Sequence, residues 1–124
     1  MMARSIKYKA WDKVNKRMGD VLVLSLHNGE VLGAQIDFGY NEAMQLLGDE
    51  FELMQFTGLH DKNGKEIYEG YIVKWIWLHN EIKAQVHWYD EGACFYAGDR
   101  RDRVLSAVEV IGNIHENPEF LEDL

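Results

Sequence analysis

The chain has 124 residues, a formal net charge of −8, 47% apolar and 12% aromatic residues, one proline and one cysteine. Those values fit one folded globular domain and exclude a disordered chain, an internal disulfide framework and a Cys-rich zinc site. No run approaches the roughly 18 apolar residues of a membrane helix, and the acidic balance argues against a general polyanion binder.

The N-terminal MMARSIKYKAWDK is basic but lacks an apolar segment, so it does not read as a secretory signal. With a single cysteine, a reducing cytoplasm is the expected setting. Arg4, Lys7, Lys9, Lys13, Lys16 and Arg17 lie near the start against Asp12 alone. From Glu109 onward come Glu109, Glu116, Glu119, Glu122 and Asp123 without Lys or Arg. A solvated surface explains that asymmetry, as does pairing of the two ends within or between chains.

Turn signals punctuate the chain every eight to twelve residues or so, which predicts short strands. Ser5–Trp11 alternates as a strand with one polar face. Val21–Leu26 reads as a second strand, and His27-Asn28-Gly29-Glu30 as an Asn-Gly hairpin turn into Val31–Phe38. Over Asn41–Gly48 the spacing of Ala43, Met44, Leu46 and Leu47 predicts one short helix, with Asn41 as cap and Gly48 as stop.

Leu53–Thr57 returns to strand. Asp61-Lys62-Asn63-Gly64 has a calcium-loop look, but the EF-hand pattern needs Gly at its sixth position and Glu at its twelfth. Counted from Asp61, Gly64 is fourth and Ile72 is twelfth. A hairpin turn is the better reading, with Asp61 accepting from its own backbone, Asn63-Gly64 tolerating left-handed dihedrals and Gly70 supplying a sharp corner.

Ile72–Leu78 is strongly β-prone, His79-Asn80-Glu81 reads as a turn, and Ile82–Tyr89 alternates most cleanly. Ala93–Ala97, Val104–Ala107 and Val108–Ile114 complete the strands. In Asn117-Pro118-Glu119 the Asn caps, Pro takes the first helical position and Glu faces the positive end. Phe120, Leu121 and Leu124 then pack that turn down.

Three blocks carry a resemblance: IKYKAWDKVNKRM (Ile6–Met18), LMQFTGLHDKNGKEIYEGYIVK (Leu53–Lys74) and VIGNIHENPEFL (Val110–Leu121). In that order they resemble the YopX family of phage and prophage proteins. The family pattern Glu-Gly-Asp-Ile-Val departs here, where Tyr71 stands in place of Asp. The resemblance implies a phage-derived product with a mostly β fold and implies no activity.

Chemistry-bearing residues are scattered. His27, His60, His79, His87 and His115 stand in no metal-ligand spacing, although His60 with Asp61, or His87 with Asp90, could join a composite site. Cys94 sits in an apolar strand-like run and reads as a buried, inert thiol. Asp49/Glu50 and Asp90/Glu91 fall at turns. No catalytic, cofactor or metal residue is assigned.

The aromatic run is more informative. Tyr71, Val73, Trp75 and Trp77 share one strand face, and Ile72, Ile76 and Leu78 share the other with Lys74. Three covers are open: the N-terminal strands, a second subunit, or nucleic-acid bases stacked there with help from Arg100, Arg101 and Arg103. The expected architecture is therefore one mainly β domain, 1–124. N-terminal strands and a short helix (1–51) pack on a small bent barrel or sandwich of SH3-like type (52–114), followed by a helical turn (115–124). The expected function is a non-enzymatic phage accessory protein that self-associates or binds protein, without membrane or cofactor. A single-stranded nucleic-acid binder and a small hydrolase are the alternatives.

Overall fold

Val, Ile, Leu and aromatic residues dominate the segments between turns, and such side chains fit a pleated, half-buried surface. The computed structural model describes residues 5–39, 43–98, 100–101 (backbone alone) and 107–122. Among them are β1 (Tyr8–Asp12), β2 (Arg17–His27), β3 (Glu30–Asp37), β4 (Ala43–Leu47), β5 (Phe51–His60), β6 (Glu66–Tyr68), β7 (Tyr71–Trp77), β8 (Asn80–Tyr89), β9 (Cys94–Ala97), β10 (Arg100–Arg101), β11 (Glu109–Asn113) and a 3-10 turn at Pro118–Leu121. No helix among the described residues is long and apolar enough to cross a membrane. The chain divides into two compact units, the first Ile6–Gln55 and the second running on from Phe56.

In the first unit the strands follow the order β4-β3-β2-β1-β5, all antiparallel. Cross-strand pairs such as Ala10 with Leu53 and Ala34 with Leu46 place their side chains on one face. Ala10, Ala34, Ile36, Leu46 and Phe51 form the core there, and Val21, Leu24, Phe38 and Leu53 pack against it. The Asn28-Gly29 turn has both residues at positive φ, 51° and 82°, the combination that matches the twist of a two-residue hairpin. Asp12 is fully buried at the β1–β2 turn. Its carboxylate accepts the N–H groups of Val14 and Asn15 and the Asn15 side-chain amide.

Three expectations need correction. Ala43–Leu47 is a strand and not a helix; Asn41 lies outside the described residues. Isolated helices this short are marginal, whereas β3 offers a complete ladder to pair with. The strand alternation was present all along, since Leu46 is buried while Ala43, Gln45 and Leu47 are exposed. Gly33 makes the pairing possible: a Cβ there would lie 2.6 Å from the Leu46 carbonyl oxygen.

The second correction concerns the barrel. The second unit is an open antiparallel sheet, β10-β9-β8-β7-β11, together with a β5–β6 ladder. Closure needs tilted strands and a staggered register. Among the described residues β10 is only two residues long and pairs with β9, at the opposite end from β11. Gly70, at φ 88°, does turn the chain sharply between β6 and β7. Its N–H donates to the Val86 carbonyl, and its own carbonyl accepts from Ile114.

The third is the C-terminal cap. Pro118–Leu121 is a 3-10 turn, and the Asn117 side chain makes no capping bond to it. Asn117 instead accepts the Asn113 N–H, and the Asn113 side chain accepts from His115 and Glu116. The strand expected at Val104–Ala107 lies mostly outside the described residues, as does Leu124.

Candidate interaction surface

The β7–β8 hairpin pairs Ile72 with Gln85 at its base and Trp77 with Asn80 at its tip. Strand alternation puts Tyr71, Val73, Trp75 and Trp77 on one face, as expected, but burial changes along it. Tyr71 and Trp75 are 8% and 7% exposed, whereas Trp77 is 57% exposed. Tyr71 lies against Tyr68, ring centroids 5.5 Å apart. Trp75 lies across small residues of its own sheet: a Cβ added at Gly98 would sit 3.2 Å from the indole and 3.5 Å from the Ala84 methyl. A glycine below an aromatic is a recurrent way to fill a sheet face.

Beyond Trp75 the hairpin is apolar and open. Ile76 and Leu78 are 66% and 74% exposed. The turn itself is Leu78-His79, one residue earlier than the sequence suggests, with φ of 49° and 67°. Two-residue turns of this shape strongly favour Asn-Gly, the pair that the β2–β3 hairpin uses. Non-glycine residues held there cost on the order of 1–3 kcal/mol each. The tip therefore combines backbone strain with exposed apolar surface.

Beside this hairpin is a cleft of about 490 Å³ lined by Lys62, Lys74, Trp75, Ile76, Ala107 and Glu109. That volume lies in the range of small-molecule and side-chain pockets. Two ammonium groups converge on Glu109 Oε2, Lys62 at 3.7 Å and Lys74 at 3.9 Å, and Lys74 also reaches Glu81 at 3.5 Å. These separations are long and the groups partly solvated, so the pairs contribute little to stability and leave the lysines available for other contacts.

Asp61 positions one wall of the cleft. It is buried, and its carboxylate accepts the N–H groups of Asn63, Lys65 and Val110, each at 2.9 Å. The Lys62 N–H donates to the Val108 carbonyl. The Asp61–Gly64 turn, with Gly64 at φ 84°, is thereby fastened to β11, and Lys62 is set beside Glu109. Burial by itself would push the Asp61 carboxyl up. The three N–H groups, with the charge of Lys65, outweigh burial and hold it below the ordinary carboxylate range.

The remaining candidates are dispersed. Arg100 and Arg101 form β10, and their side chains, like all of Arg103, lie outside the described residues. His27, His60, His79 and His87 are exposed and His115 is half-buried. No group of three or more His, Cys, Asp or Glu residues suited to a metal occurs among the described residues. His60 stacks edge-on against Phe56, and the His87 ring faces the Gln85 carbonyl. Cys94 is half-buried, more open than its apolar surroundings suggest. Glu50 and Glu91 hold their own turns, accepting from the Leu47 N–H and the Tyr89 hydroxyl.

Sequence reasoning put Ile76, Leu78 and Lys74 on one face of the strand but missed Lys62 and Glu109 beside them. The only local signal was that β-prone Ile72–Leu78 runs apolar into its turn without Asn or Gly. A further apolar surface lies in the first unit, where β-bulges between Val21 and Val23 and between Ser25 and Leu26 break the alternation. Leu22, Val23, Leu26, Leu32 and Leu47 are exposed there.

The family model described as YopX protein matches residues 7–122. The fold is similar to the crystal structure of protein EF1440 from Enterococcus faecalis, with a TM-score of 0.69 and 27% sequence identity, over 96% of this chain and 99% of that one. A search of curated proteins finds no match.

Proposed function

The chain belongs to the YopX family, and from that footing we propose that it is a phage or prophage accessory protein, non-enzymatic, acting in the host cytoplasm by self-association. The observation that carries this reading is the open tip of the β7–β8 hairpin, where Ile76, Trp77 and Leu78 stand exposed in sequence. At about 25 cal/mol per Å² of apolar area, leaving these side chains in water forgoes several kcal/mol. The strained Leu78-His79 turn adds to that cost. A surface that is locally unfavourable twice over is better explained by a contact than by the fold.

The non-enzymatic part rests on how the carboxylates are used. Among the described residues Asp12 and Asp61 are the buried acids; Asp12 is occupied by backbone N–H groups of its own turn, and Asp61 by those of its own turn and of Val110 on β11. Carboxylates engaged in this way hold structure. Base stacking would need a row of open rings, and Tyr71 and Trp75 are covered.

Light scattering over a dilution series tests the reading. Self-association gives a mass above that of one chain, falling on dilution. A mass of one chain at every concentration removes the proposal.

A further inference from the structure

We propose that Asn28 is a modification site, where the chain cyclises through a succinimide and leaves an aspartyl or isoaspartyl residue at the tip of the β2–β3 hairpin. This goes beyond the self-association reading and does not depend on it. Asn28 and Asn63 are the asparagines that precede glycine. Glycine hinders closure least, because no side chain crowds its nitrogen. The fold treats the two pairs differently.

In the reaction the Gly29 backbone nitrogen attacks Cγ of the Asn28 side chain. A C–N bond forms, the bond to Nδ2 breaks, and that nitrogen leaves as ammonia with the proton given up by Gly29. Water then opens the ring at either carbonyl, giving aspartate or isoaspartate.

At Asn28 the nucleophile is open. The Gly29 N–H has no acceptor among the described residues. His27, Asn28, Gly29 and Glu30 are all exposed, and a Cβ added at Gly29 would meet nothing within 4 Å among them. The Asn28 side-chain amide lies 3.4 Å from the His27 ring nitrogen, longer than a well-formed hydrogen bond. The tip can therefore rotate out of its left-handed turn and bring the nitrogen to Cγ.

At Asn63 the nucleophile is held. The Gly64 N–H donates to the Asp61 carbonyl at 3.0 Å, and the Asn63 N–H to the Asp61 carboxylate at 2.9 Å. The Lys62 N–H fastens the same turn to the Val108 carbonyl. Rotation there breaks bonds to a buried acid, and one such bond slows closure by about fivefold.

Either product adds a carboxylate beside Glu30. The isoaspartyl form also lengthens the main chain by a carbon. The turn's positive φ angles of 51° and 82° belong to a two-residue connection of ordinary length, so the pairing of Leu26 with Val31 and His27 with Glu30 loosens.

The test incubates the whole folded chain at mildly alkaline pH, beside the same chain in urea, and cleaves both after glutamate. Asn28 then lies in residues 1–30 and Asn63 in residues 53–66. Liquid chromatography with fragmentation mass spectrometry reads the gain of about 1 Da, locates it and separates the isoaspartyl peptide. The proposal expects Asn28 to convert at least about fivefold faster than Asn63 in the folded chain. It expects the two rates to converge in urea, and Asn28→Gln to leave residues 1–30 without the acid product. Asn63 converting as fast as Asn28 in the folded chain overturns the proposal. So does an Asn28 that stays intact in the folded chain while the urea sample converts, or an acid that forms at Asn15 instead.

Discussion

Replacing Asp61 tests whether a single buried carboxylate ties the β5–β6 turn to β11. In Asp61→Ala three N–H groups lose their acceptor, those of Asn63, Lys65 and Val110. The first two lie on an exposed turn, where water can replace the carboxylate, so each loss costs about 0.5–1 kcal/mol. The Val110 bond is buried and spans 49 residues. Leaving that donor unsatisfied costs about 1–3 kcal/mol. The sum is about 3 kcal/mol, a large part of the roughly 5–15 kcal/mol that holds a domain. Urea unfolding followed by tryptophan fluorescence reads it, because Trp75 is buried in the same unit. With a slope of about 1–3 kcal/mol per molar, the midpoint falls by about 1.5 M while the slope stays the same. Asp61→Asn keeps one accepting oxygen and turns an amide toward a donor, so it falls between wild type and Asp61→Ala. A midpoint shift of Asp61→Ala below about 0.3 M would refute the reasoning.

Other outcomes follow from the same geometry. Asp12 and Asp61 both titrate below the ordinary carboxyl value of 3.8. A depressed folded-state value means stability that is present above 3.8 and lost as pH falls through the folded-state values, so the melting midpoint should be flat above about pH 5 and drop below about pH 4. A midpoint unchanged down to pH 2 contradicts this. Gly33→Ala should destabilise by about 1–3 kcal/mol because its methyl meets the Leu46 carbonyl; a neutral effect in thermal melts would reject the β3–β4 approach. Leu78→Asn with His79→Gly should raise the melting midpoint of the monomer, by roughly 1–2 kcal/mol of stability, while weakening association. A variant that gains neither stability nor monomer would count against a strained docking tip.

Legibility of the fold followed how local each determinant is. Asn28-Gly29 announces its hairpin because its dihedral demand is met by its own residue types, and Ile82–Trp88 reads as a strand because its alternation is intact. At Asp61–Gly64 the chain turns with Gly64, but not Asn63, at positive φ, and the acceptor role of Asp61 toward Val110 depends on a partner far along the chain. Ala43–Leu47 misled because its apolar spacing fits a helix and a strand alike, and a neighbouring strand decided between them. Leu78-His79 was misplaced because nothing in its residue types favours positive φ. The cleft was illegible for a further reason: its lysines and Glu109 come from the β5–β6 turn, β7 and β11, which meet only after folding. The exposed stretch was visible as an apolar run, but not where burial along it ends.

Sedimentation equilibrium of wild type beside Trp77→Ser tests the central claim most directly. The substitution removes an exposed indole and no core packing, so the fold should stay intact while the dissociation constant rises by about 30-fold or more, as for a central interface tryptophan. A wild type that associates no more strongly than Trp77→Ser would contradict the account.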